Sequence, residues 1–111
     1  MNHTRWKLAR EKKATADYTE SAEVEAERAE IRLAMAFAKA VYDRRKALGL
    51  SQAQLAERAG LTQAKISRVE GADAVPTLPL LHRLARALDA SLNIALGEDH
   101  EEVTFIARPA A

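Results

Sequence analysis

From about Ser21 to Leu48 the chain reads AEVEAERAEIRLAMAFAKAVYDRRKAL, with neither Gly nor Pro and a dense supply of strong helix formers. Phe37, Val41 and Leu48 recur at spacings of four and seven and draw one apolar stripe, and Val24, Ile31 and Met35 continue an apolar series upstream. A single helix of ~27 residues is about 40 Å long, more than a compact domain of this size covers. Its N-terminal half is therefore expected to project, bend or bind something. Residues 1–16 hold Trp6 and Leu8 among polar neighbours and are too poor in apolar positions to fold alone.

Gly49 ends the long helical pattern, and Leu50-Ser51-Gln52-Ala53-Gln54-Leu55 carries a full start signal: Ser51 as N-cap, Gln54 as its capping-box partner, Leu50 and Leu55 as a staple. Gly60 terminates this second helix as a left-handed residue. Leu61-Thr62 opens a third at once, with Thr62 as cap and Leu61 stapled to Ile66. Two short helices joined through a Gly turn are the local signature of a helix-turn-helix. Pro76-Thr77 marks the next start, Pro79 is tolerated in a first turn, and Leu80, Leu81, Leu84, Ala85 and Leu88 face a core. The period then changes to two over Ser91–Leu96 and again over Val103–Ile106, with a turn between Gly97 and Glu102. An isolated hairpin is marginal in water, so these strands are expected to need a partner, a second copy of the chain being the simplest.

At 111 residues the chain accommodates one small domain and an appendage. It has no Cys, which excludes disulfides and thiolate metal sites. No apolar run approaches the ~20 residues of a membrane span, and no apolar segment follows the N-terminal basic residues as in a signal peptide. A cytoplasmic location without membrane contact is the default expectation. The net charge of +1 hides a segregation. Between Asp17 and Glu30 six acids face Arg28 alone, and between Arg44 and Arg68 six bases face Glu57 alone. A basic middle attracts phosphate backbones and an acidic arm is repelled by them, although solvated helix faces account for both runs equally well.

Leu50-Ser51-Gln52-Ala53-Gln54-Leu55-Ala56-Glu57-Arg58-Ala59-Gly60-Leu61-Thr62-Gln63-Ala64-Lys65-Ile66-Ser67-Arg68-Val69-Glu70 resembles the lambda-repressor-like, or XRE, helix-turn-helix, and Pro76, Leu81, Leu84, Ala85, Ala87 and Leu88 match the rest of that domain. The resemblance covers about residues 31–90. It implies a mostly α fold: a four- to five-helix DNA-binding domain with an N-terminal helical arm (1–30) and a short C-terminal strand or hairpin (91–111), the candidate dimerisation element. With Leu61, Ile66 and Val69 inward, Gln63, Ala64, Ser67 and Arg68 lie outward. Gln pairs bidentately with adenine and Arg with guanine, which makes Gln63 and Arg68 the candidate base readers. Ala64 is small enough to approach a thymine methyl, and Lys65 serves a phosphate or a base edge. Thr62 and Gln52 open the two helices; in related repressors the position of Gln52 lies against a phosphate. The resemblance also implies a scaffold ion pair between Arg45 and Glu70. The family usually has Gly two residues after that Glu, whereas here Glu70 is followed by Gly71-Ala72-Asp73, and the loop before Pro76 lacks its usual basic residues.

The flanks are similar to those of HigA-like antitoxins, which bind a RelE/HigB-like ribonuclease toxin and repress their own operon. That resemblance implies a homodimer on a palindromic double-stranded DNA operator. It makes Trp6, Leu8, Val24 and Ile31 of the acidic arm candidate contacts to a basic toxin, against the alternative of a stand-alone XRE regulator or an adaptor that no longer reads DNA. An enzyme is not expected. His3, His82 and His100 are scattered, no phosphate loop or nucleophile–base pairing occurs, and no cofactor is implied. Glu98, Asp99, Glu101 and Glu102 do not follow a Ca²⁺-loop pattern, so no metal site is expected either.

Overall fold

A computed structural model describes residues 16–98 and 100–109, with side chains described from Ser21 onward. Four helices, α1 (Ala16–Ala47), α2 (Gln52–Ala59), α3 (Gln63–Glu70) and α4 (Leu78–Ala87), precede two strands, β1 (Ala90–Leu96) and β2 (Glu101–Ala107). The fold is mostly helical with a C-terminal antiparallel hairpin.

Local chemistry sets the helix boundaries. Ser51 caps α2: its hydroxyl accepts from the Gln54 amide at 3.0 Å, while the Gln54 side chain accepts from the Ser51 amide at 2.8 Å. Gly60 closes the helix at φ +67°, the region where a Cβ is penalised, and the Leu61 amide returns to the Ala56 carbonyl at 2.9 Å. Thr62 caps α3 and Thr77 caps α4 through their hydroxyls, with Pro in the first turn of α4.

The capped helices enclose one core. Val41 of α1, Leu55, Ala56 and Ala59 of α2, Ile66 and Val69 of α3, and Leu80, Leu84, Ala87 and Leu88 at α4 form a single buried cluster, with Leu48, Leu61 and Phe105 packed against it. Each fully buried Leu, Ile or Val contributes about 1.5–3 kcal/mol relative to exposure. α3 packs on α1 and α2, while α4 packs on α2 and β1.

The first helix starts at Ala16, earlier than the pattern suggested, and runs unbroken for 32 residues through residue 30. Among its described side chains the first that is buried is Ala34; from Ser21 to Ile31 every side chain is exposed except the half-buried Ala29. The hairpin finds support within its own chain. β2 lies along α1 of the same chain, Phe105 reaches the core, and Arg32 of α1 donates to Glu101 at 3.1 Å. The strands pair from Ala90 opposite Ala107 to Leu96 opposite Glu101. Because alternate residues share a face, Leu92, Phe105, Ile94 and Val103 lie on one side, while Ser91, Ile106, Asn93 and Thr104 lie on the other.

Candidate nucleic-acid interface

α3 is held by its inner side. Ile66 and Val69 are buried, and Glu70 at its end is gripped by Arg45. The guanidinium of Arg45 donates to both carboxylate oxygens of Glu70, at 2.7 and 2.8 Å, and its remaining nitrogen donates to the Leu50 carbonyl at 2.8 Å. Arg45 is only 5% exposed, the one charged residue buried among the described residues. Its pKa lies above the ordinary arginine value, because the hydrogen bonds to Glu70 outweigh the opposing effect of burial. One bidentate pair thus ties the end of α1, the loop before α2 and the end of α3 into one rigid corner.

That anchoring turns the other side of α3 outward. Gln63, Ala64, Ser67 and Arg68 are all exposed, and Lys65 is exposed beside them. The helical period puts Gln63, Ala64, Ser67 and Arg68 within one arc opposite Ile66 and Val69. Neither Lys65 nor Arg68 has a carboxylate partner among the described residues. A short helix that presents one long donor fork, one carboxamide and two small side chains over about two turns fits the width of a major groove. The two flanking candidates are engaged locally. Thr62 uses its hydroxyl to cap the Lys65 amide at 3.1 Å, and Gln52 donates its side-chain amide to Glu70 at 3.2 Å, joining the Arg45 corner. The N-termini of α2 and α3 still present backbone amides, the usual means by which helix starts hold phosphate.

The turn after α3 accounts for the departure at Ala72. Ala72 sits at φ +57°, the left-handed conformation for which the family's usual Gly is suited. The Gly has moved to position 71, where a Cβ would approach the Ser67 carbonyl oxygen to 3.1 Å.

A helix-turn-helix domain model matches residues 36–94. The chain belongs to the helix-turn-helix domain family. Its motif is of the XRE type. A transcriptional regulator of Methanothermobacter thermautotrophicus, described as an uncharacterized HTH-type regulator, is 42% identical over 66 residues, which are 60% of this chain and 84% of that protein. The crystal structure of the restriction-modification controller protein C.AhdI from Aeromonas hydrophila is 34% identical and superposes with a TM-score of 0.49, covering 50% of this chain and 85% of that one. Membership places this helix-turn-helix protein among binding proteins rather than enzymes. Among the described residues no His, Asp and Glu cluster could hold a metal ion, and no helix is long and apolar enough to cross a membrane.

Of the arm candidates, Val24 and Ile31 are exposed on α1, and Trp6 and Leu8 lie outside the described residues. Two features of this helix-turn-helix escape a linear reading. Arg44 donates to the carbonyls of Leu88 and Asp89, at 2.9 and 3.2 Å, and so holds the end of α4 and the start of the hairpin against α1. Arg58, Arg83 and Arg86 also line one open cleft between α2 and α4. Their only sequence signal is the i, i+3 spacing of Arg83 and Arg86 on the polar side of α4, which is too common a pattern to single out.

Proposed function

We propose that the chain is a sequence-specific DNA-binding transcriptional repressor that acts on double-stranded DNA as a homodimer at a palindromic operator. The observation that carries this reading is the outward Arg68, without a carboxylate partner among the described residues, beside Gln63, Ala64 and Ser67 on a helix immobilised from behind by the Arg45–Glu70 corner. In this reading Arg68 takes the O6/N7 edge of a guanine and Gln63 the N6/N7 edge of an adenine. Ala64 and Ser67 allow close approach, and Lys65, Thr62 and Gln52 lie toward the phosphates. Footprinting of the protein on its own promoter tests it: an inverted repeat is expected, its half-sites about 10 bp apart or a multiple of that.

The finer reading is that this repressor is also the antitoxin of a RelE/HigB-like ribonuclease in the cytoplasm, with the N-terminal arm as the contact. Its support is the acidic run from Asp17 to Glu30, exposed almost throughout from Ser21 onward. Such a surface complements a basic, RNA-cleaving protein. Domain roles follow: 1–30 include the toxin contact and 31–90 bind DNA. Deletion of residues 1–20, which removes Trp6 and Leu8, should abolish neutralisation of a short basic protein encoded beside this one and spare operator binding. If no neighbouring product binds the full chain, the protein is a stand-alone XRE regulator.

A further inference from the structure

α1 carries a second apolar line besides the one that builds the core. Val24, Ile31, Met35 and Tyr42 are 42, 59, 58 and 46% exposed. Their separations of seven, four and seven residues place all four within about 20° of one straight line along the helix. The spacing reads the same from either end, since Val24 with Tyr42 and Ile31 with Met35 are both centred on residue 33. A line with this symmetry is complementary to itself under a two-fold axis at residue 33. In an antiparallel pair Val24 meets Tyr42 of the second copy, and Ile31 meets Met35.

Charge selects the same orientation. From Ser21 to Glu30 the helix holds four acids against Arg28 alone, and from Ile31 to Ala47, leaving aside the buried Arg45, it holds four bases against Asp43 alone. Antiparallel apposition sets the acidic half of each helix on the basic half of the other, whereas parallel apposition sets acid on acid. The spacing also suits the recognition helices. Arg45, which grips the end of α3, lies twelve residues from the centre. The two copies of that corner then stand roughly 36 Å apart along the helix direction, close to the ~34–36 Å between successive major grooves on one face of DNA.

We infer that the exposed line of α1 is the seam of a homodimer in which two α1 helices pack antiparallel about residue 33. This rests on the homodimer of the reading above and names its interface; it assigns Val24 and Ile31 to the seam and leaves Trp6 and Leu8 to a toxin. Because the chain lacks cysteine, single-cysteine variants of the full-length protein test it cleanly. Val24→Cys and Tyr42→Cys, mixed and oxidised, should cross-link to each other, while either one alone should not, because like positions lie roughly 27 Å apart. Sedimentation should give a dimer for the wild type and a monomer of unchanged helicity for Ile31→Glu/Met35→Glu. Self-cross-linking of Val24→Cys alone would mean a parallel pair and overturn the inference. A dimer that survives Ile31→Glu/Met35→Glu would move the seam to the hairpin and overturn it too. So would a wild-type monomer that associates only with a foreign protein. A cross-linked wild-type dimer that ignores its promoter would retire the repressor reading and leave the seam standing.

Discussion

Arg45 is buried with its full charge, and the geometry around it determines what removing a partner does. Among the described residues its hydrogen bonds go to Glu70 and the Leu50 carbonyl, so Glu70→Ala strands a desolvated guanidinium. Loss of one member of such a pair costs about 3–5 kcal/mol, a large share of a small domain's stability. Glu57 is exposed on α2, and Glu57→Ala should cost less than about 1 kcal/mol. Thermal melts of the two variants check this: Glu70→Ala should fall well below Glu57→Ala, and equal melting temperatures would contradict the scaffold role. Ala72 is the converse case, a residue whose replacement should help. It holds φ +57°, which costs an L residue about 1–2 kcal/mol, partly offset for Gly by its greater freedom when unfolded. Ala72→Gly is therefore expected to stabilise the fold by roughly 0.5–1 kcal/mol, read as a higher midpoint in urea. A lower midpoint would show that the turn does not carry this strain.

The elements differ in how far the linear pattern reveals them. α2, α3 and α4 were legible to within a residue or so because their boundaries are made locally: a hydroxyl cap at Ser51, Thr62 or Thr77 and a left-handed Gly60 are signals within one turn of the helix they bound. The strands were legible as well, since period-two alternation survives at Leu92, Ile94, Val103 and Phe105. The support of the hairpin was not legible. Arg32 and Glu101 are 69 residues apart, and nothing local to either names the other. The same holds for Arg44 and its carbonyl partners in the Leu88–Asp89 turn. At the proposed site, the outward arc of α3 follows from Ile66 and Val69, but the engagement of Gln52 with Glu70 depends on how two helices meet. The hairpin's dependence on α1 has a direct consequence. Phe105→Ala, on the core side of β2, should destabilise by about 2 kcal/mol, less than the 3–5 kcal/mol of a fully buried Phe. Ile106→Ala, on the opposite and exposed side, should cost at most about 0.5 kcal/mol. Urea unfolding of both variants decides between this support and one supplied by another chain, for which Ile106 would weigh as much as Phe105.

At the scale of the whole molecule, charge and shape divide the chain into two ends. The acidic, exposed stretch of α1 from Ser21 to Glu30 leads away from a compact helical core that carries the bases. Nucleic acid is drawn to the core end and repelled by the other, so the arm is free for contacts between proteins. In the proposed function α3 reads base edges through Arg68. The most direct measurement is the affinity of the wild type and of Arg68→Ala for the protein's own promoter, for single-base variants of it and for random DNA, at physiological salt. The wild type should prefer its promoter over random DNA by about 10³-fold or more. Arg68→Ala should lose about 1–3 kcal/mol of that binding and relax the preference at one base pair in each half-site. Equal wild-type affinity for promoter and random DNA, or an Arg68→Ala protein with its base preferences intact, would contradict the account.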